Sequence, residues 1–440
     1  MGNSIKYITP VEDCSYIDIE HEMAMCINNC FTNQNVFKIS NTVNEDELPL
    51  LAYDYKTRKW LTGRYIGKLF FQYKKKNYCF EVKPRFGNAT IMHLLEEIFN
   101  IKLAQSNTSN ALNNKAHNEL IKKLISFIWV KQLSKANVHG LPKNKIKKHY
   151  KSSNVKGRID VRKSILPIYN ENLIVSRRIE KQLDATILSI IYKSYQILCK
   201  HYFLTQNMLT DNVKEIIHSA SGFKQKPITI NQYQSIKYGS MYTNYKSIVD
   251  FSWNIIQRKR NSISQEHSNN TGDALFLDMA EIWEMYLMTI LKKKYGIEGW
   301  KVYSQKFSIY NQQDYKRGII PDLIIEKNNN VVVFDAKYKR MENSGRDYDR
   351  KDFFQIHTYG SFMKARRKNL IGIGLLYPFK EIATKEQIGR NFSSGLFGEN
   401  DNNTWFKVDG ITLADKVEDL TLNKDAFLSR FSTLLYANNN

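Results

Sequence analysis

The stretch VVVFDAKYKR, Val331 to Arg340, constrains the fold of this chain more than any other. Its four leading apolar residues read as a strand heading into a core. Asp335 and Lys337 follow directly, and a carboxylate or an ammonium is costly to bury without a partner. The run is apolar on both faces, with Val332, Phe334 and Ala336 on one and Val331 and Val333 on the other. A central strand of that kind does not carry Asp and Lys without compensation.

The preceding residues supply the compensation. Pro321-Asp322 opens the run DLIIEK, and NNN separates it from the valines. A two-residue loop at Asn328-Asn329 puts Lys327 opposite Asn330, and counting outward puts Asp322 opposite Asp335. Opposed residues share a sheet face at Cα separations of roughly 4.5–5.5 Å. Asp335 and Lys337 share that face because side chains alternate along a strand. The convergence of Asp322, Asp335 and Lys337 depends on register, since a one-residue slip sends Asp335 to the opposite face. Two carboxylates so close coexist only with a shared proton or a cation between them. Hard oxygen ligands with open positions suit Mg²⁺ or Mn²⁺. Such an ion acidifies a bound water and neutralises charge on a phosphoryl group. Lys337 beside it would orient that water or stabilise the transition state. The set is equipped for phosphodiester hydrolysis. The alternative, a surface hairpin with scattered charges, is disfavoured by a strand apolar on both faces.

Two helical patterns add candidates. In DALFLDMAEIWEMYLMTILKKK, Leu277, Glu281, Glu284, Met288 and Leu291 form one stripe. Glu284 lies there as a third acidic ligand, a holder of metal-bound water, or a carboxylate on the helix rim. In DFFQIHTYGSFMKARRK, Gln355 and Tyr359 are four apart and face the same way. They would contact the site or a DNA backbone, although ordinary packing also accounts for Tyr359.

The formal net charge is +22, which points to a polyanionic partner, most simply nucleic acid. A general bias toward Lys, Asn, Ile and Tyr supplies part of that excess, but the charge also clusters. Residues 143–163, KNKIKKHYKSSNVKGRIDVRK, hold Asp160 as their one acid. Lys145, Lys147, Lys148, Lys156 and Arg158 are the candidate DNA or partner contacts there, against a merely solvated face. Five scattered cysteines without a CxxC pair argue against a disulfide framework or a zinc site. No apolar run approaches the roughly 18 residues of a membrane span. The first residues lack the basic-then-apolar pattern of a signal peptide. A cytoplasmic location is expected, with no membrane partner. GxxxxGK[ST], HExxH, GxSxG and EF-hand patterns are all missing.

The pattern predicts an α+β chain of three domains. Residues 1–115 read as β-rich, with two alternating runs around KKKN at 74–77, a helix at 89–101 and a polar loop at 103–115. Residues 116–260 read as helical and basic, with helices at 117–137 and 177–203. A boundary falls in the polar segment 256–273. Residues 270–440 read as a mixed central sheet flanked by helices. Their expected order is helix 274–294, strands 299–310, 321–327 and 331–339, a polar loop 340–350, helix 351–366 and strand 370–378.

PD followed by DAK resembles the PD-(D/E)xK nuclease superfamily. The longer string PDLIIEKNNNVVVFDAKYK, followed by QIHTY, resembles the McrC family, the nuclease subunit of McrBC-type modification-dependent restriction systems. GRYIGKLFF and FEVKPRFG resemble that family's N-terminal β region. VKGRIDVRKSI resembles its GRLDxxxT segment, and LDMAEIWEMYL its helix with an acid after an aromatic, which maps to Glu284. Two positions depart from the family pattern. Ala and Thr follow Asp184 where Asn is usual, and Trp283 replaces Phe. The resemblance implies a PD-(D/E)xK endodeoxyribonuclease domain at 270–440. Asp322, Asp335 and the Ala336 carbonyl would bind metal, Lys337 would activate water, and Glu284 and Gln355 would support them. It also implies modified, methylated DNA as substrate and a separate McrB-like AAA+ GTPase hexamer as partner, stimulated through the N-terminal region. The alternatives are a non-catalytic regulator that clamps DNA and stimulates the partner, and a stand-alone nuclease.

Overall fold

The computed structural model describes residues 5–31, 36–37, 48–100, 114–223, 228–265, 275–311, 316–340, 349–366, 368–380, 404–413 and 416–436. The chain forms two compact units, one from residues 1–113 and 270–440 and one from 114–269.

In the first unit, strands β1 (Tyr65–Tyr73) and β2 (Lys76–Lys83) pair antiparallel with Tyr73 opposite Lys76. Lys74 and Lys75 have φ of 48° and 61°, the left-handed pair a tight hairpin turn needs. Helix α1 (Gly87–Phe99) follows. Strand β3 (Leu275–Asp278) pairs antiparallel with β1, Leu277 opposite Ile66. A helix was expected from 274. The first four residues form this strand instead, because Phe276 and Leu277 are needed in the sheet's core, where both are almost wholly buried. Asp278 ends the strand and caps helix α2 (Met279–Tyr295), accepting from the Ala280 N–H at 3.0 Å.

A five-stranded sheet forms the centre of the C-terminal part of this unit. Its order is β4 (Lys301–Tyr303), β5 (Leu323–Lys327), β6 (Asn330–Ala336), β7 (Asn369–Phe379) and β8 (Trp405–Thr412). The first two junctions are antiparallel and the last two parallel. Helix α3 (Arg350–Ala365) covers one face, placing Ile356, Tyr359 and Met363 over Ile324, Val331, Val333 and Ile373. On the other face Phe431 of helix α4 (Val417–Tyr436) meets the Phe334 ring at 4.9 Å. The Trp283 indole of α2 donates to the Leu376 carbonyl at 3.1 Å. Both faces are covered, which is why β6 reads as an unbroken apolar run.

Several boundaries differ from expectation. The expected strand 299–310 is two pieces, β4 and Phe307–Asn311, and the second pairs with Lys316–Ile319 in a separate ribbon. Strand β6 ends at Ala336, three residues early, and the Ala336 N–H donates to the Asp322 carboxylate. The strand at β8 and the helix α4 were not anticipated. The loops expected at 103–115 and 340–350 lie mostly outside the described residues.

The second unit is helical in part, with helices Asn114–Ala136, Ala185–His201, Asp211–Ser221 and Tyr245–Gln265. It also holds a three-stranded antiparallel sheet of Arg158–Ile159, Ile174–Leu183 and Lys143–Ser152. The expected helix 177–203 is therefore divided. Residues to Leu183 pair in unbroken register with 143–152. The helix starts after Asp184, whose carboxylate accepts from the Thr186 and Ile187 N–H groups at 3.0 Å each. Most side chains of the two long strands are exposed or half-exposed, so no apolar alternation marks them in the sequence. Among the described residues no helix is long and apolar enough to cross a membrane.

One buried cluster ties the N-terminal residues to the strand exit after Lys337. Asp13 is fully buried and accepts from the Arg85 N–H at 2.6 Å, with Arg85 Nε 3.7 Å from its other oxygen. The Arg85 guanidinium lies 4.6 Å from the ring centres of both Phe86 and Tyr338. Breaking a buried ion pair from one side leaves an uncompensated charge and costs about 3–5 kcal/mol. Arg85→Met is expected to lose stability of that order in urea denaturation. Arg58→Met, at an exposed turn position, is expected to change stability by less than about 0.5 kcal/mol.

Candidate active site

The hairpin of β5 and β6 sets the geometry. Asn328 and Asn329 have φ of 49° and 72°, as a two-residue hairpin turn with both central residues left-handed requires. Lys327 stands opposite Asn330 and Leu323 opposite Phe334. Asp322 directly precedes β5 and Asp335 directly follows Phe334, and the two carboxylates are neighbours. The register counted from the sequence is the register of the fold.

Asp322 Oδ2 accepts from the Ala336 N–H at 2.8 Å. The N–H and carbonyl of one residue in an antiparallel ladder point to the same side, so the Ala336 carbonyl also faces Asp322. Asp335 is 1% exposed. Its Oδ2 lies 2.5 Å from Lys337 Nζ. Burial, together with the neighbouring Asp335 and Glu284 carboxylates, pushes the Asp322 carboxyl well above its usual range. Burial works against the Lys337 ammonium, but Asp335 and Asp352 beside it hold its pKa above the ordinary value.

Helix α3 completes this side. Lys337 Nζ donates to Gln355 Oε1 at 2.9 Å, and Gln355 Nε2 donates to the Tyr359 hydroxyl at 2.7 Å. Tyr359 is buried, 6% exposed. Asp352, three residues before Gln355, was not singled out in the sequence; its Oδ1 is 3.6 Å from Lys337 Nζ. The i, i+3 spacing to Gln355 was the available signal.

Helix α2 brings Glu284. Its carboxyl is pushed up to about 7 by burial and then by Asp278, with Arg64 opposing and Asp335 adding to the rise. Arg64 pairs with Asp278 at 2.9 Å, so a residue of the N-terminal region holds the start of this helix. Among the described residues no group of three or more His, Cys, Asp or Glu is arranged to cage a metal ion. The donor set that fits a cation is smaller. It is two adjoining buried carboxylates, one of which meets the Lys337 ammonium through Oδ2, and a backbone carbonyl. That set suits Mg²⁺, which keeps several waters and takes one or two carboxylates.

Lys145, Lys147, Lys148, Lys156 and Arg158 belong to the second unit and are exposed. Lys148 pairs with Glu180 at 3.2 Å, and Lys156 Nζ lies 5.2 Å from the Tyr150 ring centre.

A family described as McrBC 5-methylcytosine restriction system component matches residues 61–378. The chain belongs to this McrBC family. The matched span contains both strands of the site hairpin, Glu284, Gln355 and the basic segment. No curated protein matches the chain. Among solved structures it is similar to a half-complex from an assembly of Thermococcus gammatolerans McrB AAA+ hexamers with bound McrC. The identity is 13% and the TM-score 0.45, over 97% of this chain and 100% of that one. It is also similar to a Thermococcus gammatolerans McrBC complex seen by cryo-electron microscopy. There the identity is 13% and the TM-score 0.33, over 65% of this chain and 87% of that one.

The raised Glu284 carboxyl of this McrBC family member gives a pH signature. Its pKa is near 7 folded against about 4.3 unfolded. The folded state therefore binds the extra proton between those values, and stability falls as pH rises through that window. Glu284→Gln removes the penalty. In metal-free buffer it is expected to be more stable than the wild type at pH 8, with the difference vanishing near pH 4. Urea midpoints across that range measure it.

Proposed function

We propose that this chain is the DNA-cleaving subunit of a McrBC-like restriction system. It is a PD-(D/E)xK endodeoxyribonuclease that depends on Mg²⁺ or Mn²⁺ and stimulates a separate AAA+ GTPase. The observation that carries the reading is the meeting of Asp322, Asp335 and Lys337 at one end of a buried hairpin, with the Asp335 carboxylate 1% exposed and 2.5 Å from the Lys337 ammonium. The family match supports a restriction role and methylated DNA as the target. The lack of a P-loop in the sequence supports a motor on another chain.

Asp322, Asp335 and the Ala336 carbonyl would hold the ion. When bound, it would neutralise charge developing on a phosphoryl group and make water a better nucleophile. Lys337 would act as a hydrogen-bond donor to a scissile phosphate oxygen or to the attacking water. Gln355 aims the Lys337 ammonium, and Tyr359 fixes the Gln355 amide. Glu284 near pKa 7 can accept or hold a proton beside the two aspartates at neutral pH. The exposed lysines of 143–156 would meet DNA or the partner.

Asp335→Ala and Lys337→Ala are each expected to lower cleavage of methylated DNA at least about 100-fold in Mg²⁺, GTP and the AAA+ partner. Stimulation of the partner's GTP hydrolysis is expected to stay at the wild-type level. Cleavage by both variants at the wild-type rate overturns the site. A wild-type chain that stimulates the partner but never cuts, on any DNA or metal, favours a regulator.

A further inference from the structure

The Lys337 ammonium is held by more than the residues the proposed chemistry uses. It has three N–H donors, and three acceptors surround it: Asp335 Oδ2 at 2.5 Å, Gln355 Oε1 at 2.9 Å and Asp352 Oδ1 at 3.6 Å. Asp352 is buried, 6% exposed, in the first turn of α3. Its Oδ2 is separately anchored, pairing with Lys339 Nζ and accepting from the Tyr377 hydroxyl at 3.2 Å. Lys339 also pairs with Asp349, the cap of α3, at 2.8 Å.

A carboxylate needed only to dock α3 on the sheet would be satisfied by Lys339 and Tyr377 on Oδ2 alone. Oδ1 points elsewhere, to Lys337. At 3.6 Å it is long for a hydrogen bond but well within reach of a charge–charge interaction in a buried setting. Asp335 is shared between Lys337 and the proposed ion, so it is an unreliable sole partner for the ammonium. Asp352 faces Lys337 from α3, and two further groups fix it.

We propose that Asp352 is a positioning residue, anchored by Lys339 and Tyr377, that directs the Lys337 ammonium toward the reacting phosphate independently of Asp335. This rests on the reading of Lys337 as the catalytic cation. It adds the charge that aims it.

The test compares Asp352→Asn, Asp352→Glu and Tyr377→Phe with the wild type in the full cleavage assay. Thermal midpoints and partner GTPase stimulation serve as fold controls. Asp352→Asn is expected to lower kcat about 10–100-fold, the usual cost of a lost supporting partner, with KM for DNA unchanged. Tyr377→Phe is expected to give a smaller loss in the same sense, and Asp352→Glu to recover most of the rate. The Lys337 Cε resonance, assigned by its loss in Lys337→Arg, is expected to shift in Asp352→Asn. Wild-type kcat, a loss carried in KM, or an unmoved resonance in Asp352→Asn overturns the proposal. Should Asp352→Asn not fold, Tyr377→Phe and Lys339→Met decide, and wild-type kcat in both overturns it. Lys337→Ala separates the two readings. If it is inactive while Asp352→Asn cuts normally, positioning alone fails. If it cuts normally, the catalytic reading fails and the positioning role falls with it.

Discussion

Two carboxylates forced together at the end of a buried hairpin are the constraint on which the site depends. The Asn328-Asn329 turn fixes the register of β5 against β6. That register leaves no freedom in where Asp322 and Asp335 go, because a slip of one residue would swap the Val331 and Val333 face, packed under α3, with the Phe334 face, packed under α4. The hydrophobic energy of the strand therefore holds the charges in place. Each buried aliphatic side chain contributes on the order of 1.5–3 kcal/mol. Several of them outweigh the tendency of the two acids to separate.

The surrounding elements each manage one part of that charge. Helix α3 meets the Lys337 ammonium with Gln355 and Asp352. Helix α2 brings Glu284 beside the aspartates, and its start is pinned by the Asp278–Arg64 pair. Just beyond Lys337, the N-terminal residues grip the chain again. Asp13 and Arg85 enclose Tyr338, and the Arg340 guanidinium donates to the Ser15 hydroxyl at 2.7 Å. The site is built from sheet, helix and N-terminal segment together, and rigid support of this kind holds catalytic groups to tight tolerances.

Much of this was legible in the sequence where pattern and physics coincide. The NNN spacer between two apolar runs gave the turn, and the turn gave the register. The Gln355–Tyr359 pair was legible because helical neighbours four apart must meet. Legibility failed where exposure or distance removed the pattern. The strands 143–152 and 174–183 bury too little to alternate. The strand Leu275–Asp278 took its identity from β1, about two hundred residues earlier in the chain. The partners of Asp352, Lys339 and Tyr377, come from the segment after β6 and from β7, so no helical spacing points to them.

The sequence by itself determined the hairpin and the three charges at its end. It also determined, through the family match, that the chain belongs with McrBC restriction components. Hairpin register is a local matter of turn geometry and side-chain period, so it can be counted. Only the tertiary structure decided which groups surround those charges. It set Asp352 on Lys337, tied the start of the Glu284 helix to Arg64 through Asp278, and placed residues 1–113 in one unit with 270–440. Those contacts join segments far apart in the chain. Their selection rests on the shape and burial of the assembled core, which no local period encodes.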